Sequence, residues 1–176
     1  MLDHRLEAYV DQKLLKVEGI TDLLAAISVR GEMPGWLPIT TANGAGAEWK
    51  PWMLQSVQDR EMALLHDCDK PGQDGADKLV KAAAPIASSI KNYQLPYQIK
   101  DNHGEDLRDW FEAGGTGAKL IEAIDQEAAI DVSEIDFRSD TDPDRIAERI
   151  IKDYFTVDGV RTLILGGGDW CQWDTH

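Results

Sequence analysis

Met62-Ala63-Leu64-Leu65-His66-Asp67-Cys68-Asp69-Lys70-Pro71-Gly72-Gln73-Asp74-Gly75-Ala76 is the stretch on which the fold turns. Its short apolar run predicts a buried strand over 61–66, ending in two aspartates one residue apart. A Pro-Gly turn follows, and the spacing of Ala76, Leu79, Val80 and Ala83 predicts a helix over 74–91. Open α/β sheets hold their ligands at the carboxyl ends of strands, where this acidic pair falls. Two carboxylates fixed there present hard oxygen donors, which suit Mg²⁺ or Mn²⁺ better than zinc. A surface turn that happens to be acidic would read the same way in isolation.

Working outward, strand and helix patterns alternate. Lys13–Val17 predicts a strand, Glu18-Gly19 a sharp turn, and 20–27 a helix. Glu18 thus ends a strand, and Asp22 follows one helical turn later. A first-turn acid such as Asp22 is also favoured by the helix dipole alone. Residues 36–41 predict a second strand, with Pro38 arguing for an edge or a late start. The small-residue loop Ala42-Asn43-Gly44-Ala45-Gly46-Ala47 would admit a phosphate to its backbone. It lacks the Lys-Ser/Thr of a P-loop and the dinucleotide glycine spacing, so it reads as a simple turn. Trp49, Pro51, Trp52 and Leu54 open a helix. Residues 96–100 predict a fourth strand, running into the acidic turn 101–106. A helix follows from Leu107 through Trp110 and Phe111, stopped by Gly114-Gly115, and another covers 117–129. Residues 3–12 read as a short polar helix. The expected class is α/β: about four parallel strands with helices on both faces, followed by a small helix and hairpin appendage.

The 176 residues suffice for one cored domain with an appendage. No apolar run is long enough for a membrane span, and the start lacks the pattern of a signal peptide. Cys68 and Cys171 form neither a disulfide framework nor a zinc knuckle, which fits a reducing, cytoplasmic setting. The net charge of −14 works against binding nucleic acid by charge alone. Such a partner would need a metal bridge, a local basic patch or a neighbouring domain. Between Asp125 and Asp158 there are eleven acids and four basic residues, the texture of a solvated connector. Within it Asp142 and Pro143 mark a helix start whose apolar side is Ile146, Ile150, Ile151 and Tyr154. Asp158-Gly159 predicts a hairpin turn, and the chain stops within what reads as a further strand at 170–176. The expected organisation is an N-terminal segment over 1–12, a catalytic domain over 13–125, and a connector with a truncated β region over 126–176, as in a piece of a longer protein.

Three acidic groups follow predicted strands: Glu18-Gly19 with Asp22, Asp67 with Asp69, and Asp106 with Asp109. In this order the chain resembles the toprim domain shared by topoisomerases, bacterial-type primases and several nucleases. Val17-Glu18-Gly19-Ile20-Thr21-Asp22 is similar to the primase form of that family's first motif, and Asp67-Cys68-Asp69-Lys70-Pro71-Gly72 to its second. Lys70 stands where primases commonly have arginine. Gly104-Glu105-Asp106 resembles a further Gly-Lys-Asp motif, with Glu105 replacing the lysine. Leu107-Arg108-Asp109-Trp110 is similar to wording seen in phage and plasmid primase-helicases. The resemblance covers about 13–125. It implies a Mg²⁺- or Mn²⁺-dependent phosphoryl-transfer domain, with Glu18, Asp67 and Asp69 catalytic, Asp106 joining them as a metal ligand, and Lys70 touching a phosphate. It also implies single-stranded DNA template, ribonucleotides and a replicative helicase as partners. A toprim nuclease shares the same metal site, and a non-catalytic module that recruits a helicase is a reading from another class. Clustered without metal, these carboxylates should be harder to ionise than usual. His66 and Cys68 tempt toward zinc, but neighbouring strand residues face opposite ways and no second His/Cys pair completes a site. His103 reads as a loop histidine. Trp49, Trp52, Trp110, Trp170 and Trp173 read as core residues before they read as base-stacking ones.

Overall fold

The computed structural model of the chain describes residues 11–41, 44–46, 48–137, 142–154, 156–157, 160–161, 163–166 and 169–172. Strands β1 (Lys13–Val17), β2 (Trp36–Ile39), β3 (Glu61–Leu65) and β4 (Ser89–Asn92) form one all-parallel sheet in the order β2-β1-β3-β4. Four of the five residues in each central strand are buried, and of these all but Lys16 are apolar. That continuous burial is expected where helices cover both sides of a parallel sheet. Pro38, which has no N–H to give a ladder, sits in β2 at the end of the strand order.

Alternation along the strands sends side chains to two cores. On one face Leu15, Val17, Ala63 and Leu65 pack with Ala26 of α1 (Ile20–Ser28), Leu107 of α4 (Leu107–Glu112), and Leu120 and Ile124 of α5 (Gly117–Gln126). On the other face Leu14, Met62, Leu64 and Ile90 pack with Ala76, Leu79, Val80 and Ala83 of α3 (Lys70–Ala83). Leu54 of α2 (Pro51–Gln55) lies against the same cluster. The expected class, four parallel strands with helices around them, is the one the chain adopts.

Two boundaries differ in kind from the sequence reading. The helix expected over 74–91 starts at Lys70, because Asp69 caps it by accepting the Gly72 N–H at 2.8 Å and Pro71 fits the first turn. It stops at Ala83, and Pro85, two residues on, has no N–H to extend the ladder. Ser89–Asn92, absorbed into that helix by spacing alone, is the fourth strand. Residues 96–100 are not a strand. Pro96 has no N–H, the segment is largely exposed, and only Lys100 makes a bridge, to Asp69. Asp106 therefore lies at the end of a loop, residues 93–106, and not on a strand's carboxyl end.

The chain divides into two compact units, Met1–Ile135 and Asp136–His176. In the first, Ile130 donates its N–H to Ile90 O at 2.8 Å, and Ile130 and Ile135 pack against the second core. The second unit contains α6 (Pro143–Tyr154), the antiparallel pair β5 (Thr156–Val157) and β6 (Val160–Arg161), and the antiparallel pair β7 (Leu163–Gly166) and β8 (Asp169–Gln172). The expected helix start at Pro143 and the hairpin are present. The predicted N-terminal helix falls mostly outside the described residues, as do Asp158 and Gly159.

Backbone hydrogen bonds stitch loop 93–106 to the acidic turn. Cys68 N–H donates to Glu105 O at 2.9 Å, Lys100 N–H to Cys68 O at 3.0 Å and Lys70 N–H to Lys100 O at 3.0 Å. This close approach needs Gly104, where a Cβ would sit 2.1 Å from Cys68 O and 2.7 Å from Asp69 N. Gly104→Ala should destabilise the protein by about 1–3 kcal/mol, measurable by urea unfolding, with hydrogen exchange rising first at Cys68, Lys70 and Lys100.

Candidate functional site

From β1 the chain moves outward to β2, then returns past β1 to form β3 on its other side. The mouth between the carboxyl ends of β1 and β3 is therefore the point where strand order reverses, the place where such sheets bind ligands. Glu18 follows β1 and Asp67 follows β3 by two residues. Glu18 Oε2 accepts the Asp67 N–H at 3.1 Å. Thr40 Oγ1 lies within donating distance of Val17 O and Glu18 O, at 2.8 and 2.9 Å, and pins that strand end. Gly72 lets α3 approach: a Cβ there would lie 2.5 Å from Asp67 O and 3.0 Å from Glu18 Oε2.

The other acids converge from different elements. Asp69, buried, accepts the Gly72 N–H with Oδ1 and the Gly104 N–H with Oδ2 at 3.1 Å. Asp106, also buried, caps α4 by accepting N–H groups of Arg108 and Asp109 at 2.8 and 3.1 Å. Asp109 returns the favour by accepting the Asp106 N–H, a reciprocal capping box that points it back along its own helix. Asp22, in the first turn of α1, accepts the Gly19 N–H at 3.2 Å, as a first-turn acid should. It is also 4 % exposed and keeps Oδ1 without a hydrogen-bond partner. Lys70 opens α3 on the exposed side and pairs with Asp101 at 2.5 Å.

The charges interact through this mouth. Burial, then Glu18, Asp22, Asp106 and Asp69 in turn, push the Asp67 carboxyl up to about 7. Burial first and the Asp106 charge next also raise Asp22, against the pull of Gly19 N–H and Arg108. Asp67 is the partly buried acid here whose side chain receives no hydrogen bond among the described contacts, so no hydrogen bond offsets the crowding. At Asp67 and Asp22 the carboxyls thus resist ionisation, with desolvation the larger cause and like charges the next.

Lys16 escaped the sequence reading. It is 1 % exposed, on the β1 face opposite Leu15 and Val17, and its Nζ donates to Val17 O at 2.5 Å. Burial lowers it to about 8, against the pull of Glu18, Asp22 and Asp67. The only hint in the sequence is a lysine flanked by apolar residues two positions before the strand-ending glutamate. Burial and the Lys16 charge hold His66 down at about 4, so its ring is neutral and Nδ1–H donates to Gly72 O at 2.9 Å. Cys68 Sγ faces Leu95 O within the other core. Both side chains are committed to packing, and His103 is an exposed loop residue with φ 54°. Trp49 and Trp110 lie against the cores, whereas Trp52 is exposed. The Trp170 side chain and Trp173 lie outside the described residues.

The donors gathered here are carboxylate oxygens carried by different elements, and one of them, Asp22 Oδ1, is buried and unsatisfied. That set fits a hard divalent cation. Among the described residues no three acidic, histidine or cysteine side chains already close on one point, so an ion would have to draw them inward.

No protein-family model matches the chain, and no curated protein sequence matches it. Among solved structures, the chain is similar to the Aquifex aeolicus primase, zinc-binding and RNA polymerase domains. The TM-score is 0.53 at 16% identity, over 70% of this chain and 28% of that one. A bacteriophage T7 lagging-strand DNA polymerase assembly, with primase domains bound to an RNA/DNA hybrid and dTTP, matches with a TM-score of 0.46 at 15% identity. That match covers 68% of this chain and 56% of the other. The chain spans under a third of the Aquifex protein's length. At these identities the likeness is one of fold.

Asp67 gives a test of the crowding. A carboxyl raised when folded adds stability that is full below the ordinary carboxylate range and is lost as pH rises through about 7. In EDTA at pH 8, Asp67→Asn should therefore be more stable than the parent by about 1–2 kcal/mol after solvent screening. The gain should shrink toward pH 5, and thermal unfolding at the two pH values checks it.

Proposed function

We propose that the chain is the Mg²⁺-dependent toprim domain of a DNA primase or primase-helicase from a phage or other mobile element, acting in primer synthesis during DNA replication. One observation carries this reading. Glu18 and Asp67, 49 residues apart, meet at the switch point of a parallel sheet with Oε2 3.1 Å from the Asp67 N–H. Asp22, Asp69 and Asp106 add their charges to the same mouth. The fold-level likeness to the Aquifex primase supports the class, and the motif order read from the sequence supports the subtype.

Asp67 is the best-placed ligand, because its carboxylate has no competing hydrogen bond. Asp69 and Asp106 hold their backbone caps and would reach an ion directly or through water. Glu18 faces Asp67 and serves either as a further ligand or as acceptor for the proton of an attacking hydroxyl. When bound, Mg²⁺ would neutralise phosphate oxygens and reverse the local sign of an acidic mouth. Lys70 is exposed and its pair with Asp101 is exposed too, so the ammonium exchanges partners at little cost and can meet a phosphate. Single-stranded DNA template and ribonucleotides are the substrates this reading requires, and a replicative helicase the partner.

A non-catalytic recruiting module is the second reading. Asp69 favours it, since both its oxygens are already committed to backbone N–H groups. Incubation with single-stranded DNA template, ribonucleotides and Mg²⁺ separates the two. The first reading expects short RNA products that fall at least a hundredfold in Asp67→Ala and Glu18→Gln, with circular dichroism unchanged. Shortening of labelled DNA without nucleotides would instead identify a nuclease. Absence of both activities together with no Mg²⁺ binding would leave the recruiting module.

A further inference from the structure

We propose that Arg108 is the resident counter-cation of the Asp22–Asp106 side of the acidic mouth, and that a divalent ion binds there by displacing it. This rests on the metal-site reading above and adds a residue that reading does not use.

Two carboxylate oxygens at the α1–α4 contact lack a backbone donor. Asp22 spends Oδ2 on the Gly19 N–H and leaves Oδ1 buried with no hydrogen-bond partner. Asp106 spends Oδ1 on the N–H groups of Arg108 and Asp109, so its Oδ2 faces the Arg108 side chain. The guanidinium straddles both oxygens. Its Nε donates to Asp106 Oδ2 at 2.9 Å, a terminal nitrogen contacts the same oxygen, and Nε lies 3.8 Å from Asp22 Oδ1. That last distance is an ion pair without a hydrogen bond, so Asp22 is neutralised but not satisfied.

The other cations of this region cannot take that place. Lys16 is enclosed in the sheet and bonded to Val17 O, and Lys70 turns away to Asp101. Arg108 differs in being able to leave: its side chain is 53 % exposed, against 6 % and 9 % for the carboxylates it covers. Swinging outward, it returns to water and uncovers two hard oxygens from two different helices. A guanidinium keeps its charge across the working pH range, so an ion arriving between those oxygens must move it and cannot neutralise it. A site that is open only part of the time binds with correspondingly weaker apparent affinity.

The test is a Mn²⁺ titration of the full chain, reading free Mn²⁺ by electron paramagnetic resonance, for the parent, Arg108→Gln and Arg108→Lys. Removing the competitor should tighten Mn²⁺ binding by roughly tenfold in Arg108→Gln, within the usual span of coupled sites. Arg108→Lys, which keeps the charge without the fork, should fall between. Structural damage would weaken binding, so a gain is specific to displacement. In EDTA, Arg108→Gln should melt below the parent, and Mn²⁺ should raise its melting temperature by more. If the parent binds Mn²⁺ and Arg108→Gln binds equally or more weakly, the displacement is overturned and the metal-site reading survives. If neither protein binds Mn²⁺, both fail.

Discussion

Five carboxylates crowd one mouth of the sheet, and backbone N–H groups make that crowding tolerable. Glu18 takes the N–H of Asp67, Asp22 that of Gly19, Asp69 those of Gly72 and Gly104, and Asp106 those of Arg108 and Asp109. Charge-assisted bonds of this kind favour the ionised form and offset mutual repulsion. Asp67 is left out of the scheme, and it is the acid displaced furthest, to about 7. The fold thus leaves an acid without a backbone donor at the switch point, where an ion would relieve it. A protein arranging acids only for solubility would spread them over its surface.

The glycines follow from the same constraint. Backbone donors reach the carboxylates only if chain segments approach within van der Waals distance. At Gly72 and Gly104 any Cβ would collide with Asp67 O or Cys68 O. Helix α3 and loop 93–106 are held against the acidic turn through those two positions. The loop's bridge at Asp69–Lys100 stands in place of the strand predicted over 96–100.

How legible this was in the sequence depended on the range of the force involved. Glu18, Asp67 and Asp69 could be placed because each follows a strongly apolar run, and a run's end is a local signal. The β1 strand and the helix after Gly19 were readable for the same reason. The fourth strand was not, because Ser89–Asn92 has one buried residue, Ile90, and its partner Met62 is far away in sequence. The starting point of α3 was missed because Pro71-Gly72 reads as a turn until Asp69 is seen capping Gly72. Asp22 looked like an ordinary dipole-compensating acid. Only the arrival of α4 from 85 residues later shows that Oδ1 is trapped against Arg108. Lys16 was invisible because a lysine in a strand is normally solvated, and nothing local records that helix α3 closes over its face.

Lys16 and Arg108 answer the same excess of negative charge in different ways. Lys16 is locked beneath the strand ends, where its ammonium acts on Glu18, Asp22 and Asp67 whatever else is bound. While protonated, this buried cation steadies the empty mouth, and by the same field it weakens the attraction of the mouth for a divalent ion. Arg108 sits at the rim, half in water, and its charge is removable. Lys16 thus supplies compensation that is fixed in place, and Arg108 the part that the proposed ion would replace. If an ion displaces Arg108 as proposed, a polyanion would approach this acidic chain after that exchange had changed the sign of the mouth, ion before nucleic acid.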